Sequence, residues 1–164
     1  MKILTKEDIK KCITIDETIE ICKNAMKDYT LNKSVIPLRT PIQSIDNNGQ
    51  VLFMPGKISN DSDSIGIKIV SVYPDNSKLN LPAVPSTMIT VNEKTGIVNG
   101  ILDGTYLTAL RTAAIQGAAT DILANKNSKI ATLIGTGGQA LEQARALVTV
   151  RELKELRVVA RNFE

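Results

Sequence analysis

Residues 129–161 read KIATLIGTGGQALEQARALVTVRELKELRVVAR. An apolar run, a glycine-rich loop, an amphipathic stretch and a second apolar run follow one another. They predict strand, loop, helix and strand, the βαβ unit of an α/β fold. Gly135, Gly137 and Ala140 occupy the G-x-G-x-x-G/A positions directly after the first strand. The first allows a tight turn, the second lets backbone approach a pyrophosphate, and the third lets helix and strand pack closely. The helix that follows offers free N–H groups and a partial positive charge to phosphates. A glycine turn of this type can also be purely structural; the strand–loop–helix–strand context favours dinucleotide binding. Where the second strand ends, Val159-Ala160-Arg161-Asn162 carries no acid to take the ribose hydroxyls of NAD. The alternative for Arg161 is a solvated surface residue, but the missing carboxylate tilts the expected cofactor from NAD towards NADP.

Upstream the texture differs. Thr5 with Asp8, and then Asp16, mark two helix starts, and Ile19, Cys22, Met26 and Tyr29 trace one face of the second helix. From Val35 short β-rich runs take over: VIPLRTPIQ, QVLFMPG, SIGIKIVSVY, PSTMITV and GIVNGILDG. DNNG, ISNDSDS and YPDNSKLNLP separate them as turns or loops. VNEKTG reads as a hairpin connection with Gly96 in a left-handed conformation. Residues 104–124 predict a long Ala-rich helix with Leu107, Leu110, Ala114, Ala118 and Ile122 on one side. The expected organisation is an α+β domain over residues 1–112 and the start of a second, dinucleotide-binding domain over 113–164.

Composition narrows the function classes. The 164 residues are 43% hydrophobic and 23% charged with a net charge of +3, as in a globular protein. Basic and acidic residues are interspersed, aromatics make up 3%, and there is no Trp. Neither a basic stripe nor a stacking platform for nucleic acid is present in the sequence. No apolar window reaches the length of a membrane span, and the charged N-terminus does not read as a signal peptide. Cys12 and Cys22 are expected to be reduced, as in a cytoplasmic protein. With no His in the chain, Ser-His and Cys-His nucleophiles and most zinc sites are excluded, and no metal is expected. Proton transfer is left to Lys, Asp, Glu, Tyr or Cys.

Three cations stand out. Strand alternation puts Lys68 on one face with Val70 and Val72, and Ile65, Ile67 and Ile69 on the other. An ammonium in such apolar company is only partly solvated, which suits proton transfer or anion binding. A lysine snorkelling from a sheet edge is the alternative. Arg39 in PLRTP and Arg111 in LTALRTAA complete a cationic set suited to a carboxylate. Each arginine is equally compatible with a structural ion pair to Asp103 or Glu93.

RTPIQ, FMPG, GIKIVSVYPDN, LPAVPSTMITVNEKTG, ILDGTYLTALRTAA and LIGTGGQA, in that order, resemble the ornithine cyclodeaminase/μ-crystallin family. The resemblance implies an N-terminal α+β domain that binds substrate and forms a homodimer. Behind it comes a Rossmann domain of which this chain would contain the first βαβ unit. It implies that Arg39, Lys68 and Arg111 hold or act beside the substrate carboxylate, with Lys68 the catalytic candidate. It also implies cofactor contacts from Thr112, from Gly135, Thr136, Gly137, Gly138, Gln139 and Ala140, and from Arg161 and Asn162. The family's catalytic aspartate would lie beyond Glu164, so these residues alone are expected not to make a competent enzyme. Ornithine cyclodeaminase itself has a glutamate at the position of Leu52 and an aspartate at that of Ala160. Their absence points away from ornithine and from NAD alone. The expected activity is NAD(P)-dependent hydride transfer at the C–N centre of a small amino or imino acid. Ornithine cyclisation with recycled NAD, or ligand binding without catalysis, are the alternatives.

Overall fold

The computed structural model describes residues 1–58 and 64–161. The ISNDSDS loop therefore lies largely outside the described residues. The chain divides into two compact units, one of residues 1–11 and 27–107, the other of residues 12–26 and 108–164.

The first unit is built on a seven-stranded sheet of order β1-β7-β6-β5-β4-β2, with β3 also paired to β4. Its strands are β1 (Lys2–Leu4), β2 (Ser34–Val35), β3 (Thr40–Ser44), β4 (Gly49–Ile58), β5 (Ser64–Val72), β6 (Ser86–Asn92) and β7 (Val98–Asp103). Only β1 runs parallel to its neighbour, β7; β4 to β7 form an antiparallel meander. The turn between β6 and β7 forms as expected. Gly96 takes φ +71 and donates its N–H to Asn92 O at 2.8 Å. Helix α1 (Lys6–Cys12) opens with the predicted cap. Thr5 N donates to Asp8 Oδ2 at 3.0 Å and Asp8 N to Thr5 Oγ1 at 3.3 Å, a reciprocal pair that satisfies two orphan donors. The Thr5 hydroxyl, donating to Asp8 Oδ2 at 2.7 Å, and then the Thr5 N–H hold the Asp8 carboxyl below the usual carboxylate range.

The sheet's two faces differ. Residues paired across antiparallel strands project to one side. On one side Leu52 and Val70 pair and are both buried. On the other, Val51, Phe53, Ile65, Ile67, Ile69, Ile89, Val91 and Ile101 form a continuous apolar surface in which every residue is only partly buried.

Helix α2 (Ile15–Thr30) begins one residue before the expected start at Asp16. Thr14 and Glu17 form the capping box: Thr14 N donates to Glu17 Oε2 at 2.8 Å and Glu17 N to Thr14 Oγ1 at 3.2 Å. Asp16 instead sits in the first turn, where its charge complements the helix dipole. Of the expected face, Ile19 and Cys22 are buried while Met26 and Tyr29 are about half exposed.

In the second unit Ile19 and Cys22 of α2 pack with Ala113, Ala114 and Ala118 of α3 (Gly104–Leu123) and Ala146 of α4 (Ala140–Val150). Small residues let the helix axes approach. At Gly117 a Cβ would lie 2.9 Å from Ile19 Cδ1 and 3.1 Å from Ala146 Cβ. The buried stripe of α3 therefore follows Leu110, Ala113, Ala114 and Ala118, and Ile122 at its end is 67% exposed, unlike the expected face. β8 (Ile130–Ile134) and β9 (Glu155–Val159) pair in parallel, Ile130 opposite Glu155 and Ile134 opposite Val159. This is the βαβ unit the sequence predicts. Both cysteines are free thiols; burial pushes the Cys22 thiol up from its ordinary pKa, whereas Cys12 is exposed. Among the described residues no helix is long and apolar enough to cross a membrane, and no cluster of His, Cys, Asp and Glu could hold a metal ion.

Candidate functional site

The glycine loop takes the geometry its motif requires. Gly135 leaves β8 at φ +102, a conformation costly for any residue with a Cβ, and its N–H donates to Val159 O at 2.8 Å. That bond carries the β8–β9 ladder one step into the loop. A Cβ at Gly137 or Gly138 would meet no protein atom within 4 Å. Packing within the protein therefore does not demand glycine at either position, whereas a ligand lying directly against the backbone would. Thr136, Gly137 and Gly138 are exposed, and Ala140 N donates to Gly137 O at 2.9 Å as α4 begins. Gln139 is the N-cap residue of α4, and its side chain caps nothing.

This loop borders a cleft of ≈ 560 Å³ at the carboxyl ends of both parallel strands, lined by Ile134, Gly135–Gly137, Val159, Ala160 and Arg161. Ligands of open parallel sheets bind at that end. The residues present fit the phosphate-bearing part of a dinucleotide: open glycine backbone, a free helix N-terminus and one guanidinium at the rim. Of the other cofactor candidates, Thr112 does not line this cleft; its hydroxyl donates to Thr108 O at 2.6 Å, bonding back along α3. Asn162 lies outside the described residues.

In the first unit Lys68 is half-buried at the middle of β5. The register sets it between Met54 of β4 and Met88 of β6. Together with Ile36, Gly56, Ile58, Gly66, Thr90 and neighbouring backbone, these three residues line a pocket of ≈ 420 Å³. Lys57 also borders the pocket, and its charge is met by Glu93 in an ion pair. Glu93 is thereby occupied by a lysine, and Asp103 caps α3 by accepting from Tyr106 N at 2.7 Å.

Arg39 is exposed in the segment before β3 and does not line the Lys68 pocket. Arg111 is exposed on α3 in the second unit, although its Ala, Leu and Thr neighbours suggested otherwise. The buried stripe of Leu110, Ala113, Ala114 and Ala118 runs alongside Arg111, which lies at its edge and not within it. Among the described residues neither arginine is held in an ion pair. Two features escaped the sequence reading. One is the methionine pair flanking Lys68, which strand register alone would have revealed. The other is Arg151, whose guanidinium is buried at the end of α3.

Compared with known proteins, the sequence profile of the Ornithine cyclodeaminase/mu-crystallin family matches residues 1–164. The chain belongs to that family. Among the relatives of the ornithine cyclodeaminase/μ-crystallin chain is the Delta(1)-pyrroline-2-carboxylate reductase of Bacillus cereus, 29% identical over 164 residues, all of this chain and 50% of that protein. The structure is similar to that of Thermococcus litoralis Delta(1)-pyrroline-2-carboxylate reductase in complex with NADH and L-proline. The two share a TM-score of 0.93 and 39% identity over 99% of this chain and 50% of that one. It is also similar to an archaeal alanine dehydrogenase dimer with bound NAD, with a TM-score of 0.87 and 33% identity over 95% of this chain and 47% of that one. The family member described here thus spans about half the length of these relatives.

Proposed function

We propose that this sequence belongs to an enzyme that transfers hydride at the C–N centre of a small amino or imino acid, using a nicotinamide dinucleotide. The observation that carries the proposal is the half-buried Lys68 in a pocket otherwise walled mainly by apolar groups, Met54, Met88, Ile36 and Ile58. A cation in that setting attracts a carboxylate, and the apolar walls exclude water from the reacting carbon. The bound nicotinamide supplies or accepts the hydride. Lys68 holds the substrate's carboxylate or passes a proton at the substrate nitrogen. For Arg39 and Arg111 a carboxylate-binding role is proposed from the family motifs R-T-P and A-L-R-T, not from the pocket lining. The role of Thr112 at the cofactor is proposed on the same ground.

Gly135, Thr136, Gly137, Gly138, Gln139 and Ala140 are the proposed phosphate loop. Arg161 and the absence of a carboxylate at Ala160 favour NADPH over NADH, although the solved relatives named above hold NADH and NAD. Among the described residues Lys57 and Lys68 line the 420 Å³ pocket, and the charge of Lys57 is met by Glu93. Leu52, at the position where ornithine cyclodeaminase has a glutamate, favours a monoamino or imino acid over a diamino acid such as ornithine.

The apolar face around Ile67 supports a homodimer, and one of the solved relatives is a dimer. Covering that face with a second copy removes its partly exposed isoleucines from water. The functional reading is tested with Lys68→Ala in the full-length protein. Turnover is expected to be lost with cofactor affinity retained; unchanged turnover would overturn the role of Lys68.

A further inference from the structure

Beside Lys68 the sheet carries a gap. Register places Gly56, Gly66, Thr90 and Gly100 side by side across β4, β5, β6 and β7, one row along from Met54, Lys68, Met88 and Leu102. At Gly56 an added Cβ would sit in ordinary contact with Val35 O at 3.8 Å and Ile36 Cγ1 at 4.0 Å, without a clash. At Gly66 it would overlap the Met88 methyl, so the thioether of Met88 lies folded over Gly66, filling the space left by the missing side chain. Both residues line the pocket that contains Lys68.

We infer that Met88, seated over Gly66, sets the size of substrate side chain that the Lys68 pocket accepts. The inference rests on the reading of this pocket as the substrate site. Lys68 fixes the carboxylate end of a ligand, so the group that occupies the neighbouring row limits how far the rest of the molecule extends. Methionine suits this task because its unbranched chain fills an irregular gap completely yet moves when the gap changes. Gly66 and Met88 are a complementary pair: space given up by one is taken by the other. With Met88 in place the pocket fits a compact ring or short chain. Removing the thioether extends the pocket along the glycine row.

The test compares reduction of a five-membered and a six-membered cyclic 2-carboxy imine by the full-length protein with NADPH or NADH. In each turnover the imine carbon gains hydride, its nitrogen gains a proton, and the cofactor is oxidised. Wild type is expected to favour the smaller ring. Met88→Ala should move the ratio of kcat/KM values towards the larger ring by about tenfold, the discrimination one methylene carries. Gly66→Ala, which displaces the thioether into the pocket, should move it the other way. The double variant Gly66→Ala/Met88→Ala should return close to the wild-type ratio, a coupling expected only of residues sharing one space. Cofactor affinity, measured alongside, reports that each variant is folded. A wild type that reduces neither ring overturns the substrate-site reading and the inference with it. A wild type that reduces them, with ratios unchanged in both single variants, overturns the inference alone.

Discussion

The Arg151 guanidinium donates to Asp121 Oδ1 at 3.0 Å and to the carbonyl oxygens of Thr120 at 2.8 Å, Ala124 at 2.8 Å and Asn125 at 3.1 Å. One side chain, 4% exposed, thereby gathers carbonyls from the last turn of α3 and from the two residues that follow Leu123. Arg151→Ala removes these bonds and the ion pair to Asp121 together, and empties the space of a buried side chain. The variant is expected to lose about 3 kcal/mol of stability, read as a fall in the urea midpoint. Lysine, which lacks the planar fork, should rescue little.

Asp121 links this cap to α2. Its carboxylate accepts from Lys23 at 2.9 Å, Lys126 at 3.0 Å and Arg151 at 3.0 Å. Those bonds, Lys23 first, hold its carboxyl well below the usual carboxylate range. A depressed folded-state pKa contributes stability that is complete above the unfolded value of about 3.9 and is lost as pH falls through it towards the folded value. Acid unfolding of the wild type should therefore steepen below about pH 4. Asp121→Asn should be less stable at neutral pH and lose less on acidification. A pH series of urea melts checks both, and parallel curves for the two proteins would contradict the assignment.

The local grammar of the chain was readable because it rests on short-range chemistry. Thr5 with Asp8, the turn ending in Gly96, and the loop at Gly135 each depend on residues within a few positions of one another. The Asp16 helix start was misplaced because a first-turn acid and an N-cap acid look alike until Thr14 and Glu17 are seen to bond reciprocally. Met26, Tyr29 and Ile122 repeat with helical spacing but remain exposed, since periodicity gives a face and not the extent of what covers it. Lys68 was legible from alternation. Its neighbours Met54 and Met88 were not, because they are joined to it only through strand register. Arg151 was hidden for the same reason, its acceptors lying 26 to 31 positions away in sequence.

Gly135 is the loop position least tolerant of a side chain. Its φ of +102 lies outside the range that L-residues adopt readily, while surrounding space is open. Gly135→Ala is therefore expected to distort the loop, not to clash, at a cost of roughly 1–2 kcal/mol. Dinucleotide affinity in the full-length protein should fall by about tenfold, and the melting temperature by a few degrees. Fluorescence titration with NADPH measures it, and undiminished binding would remove the loop from the cofactor site.

The apolar sheet face predicts its own variant. Ile67→Lys places a charge among Ile65, Ile69 and Ile89. It should convert the proposed homodimer to monomer at micromolar concentration by light scattering. A wild type that is already monomeric would reject the dimer.

Net redox change tests the central claim most directly. The full-length protein is supplied with NADPH or NADH and a small cyclic imino acid, and nicotinamide absorbance is followed beside amino acid formed. Hydride transfer at the C–N centre predicts one cofactor oxidised for each amino acid produced. Release of ammonia from a diamino acid with no net change in the cofactor would contradict it.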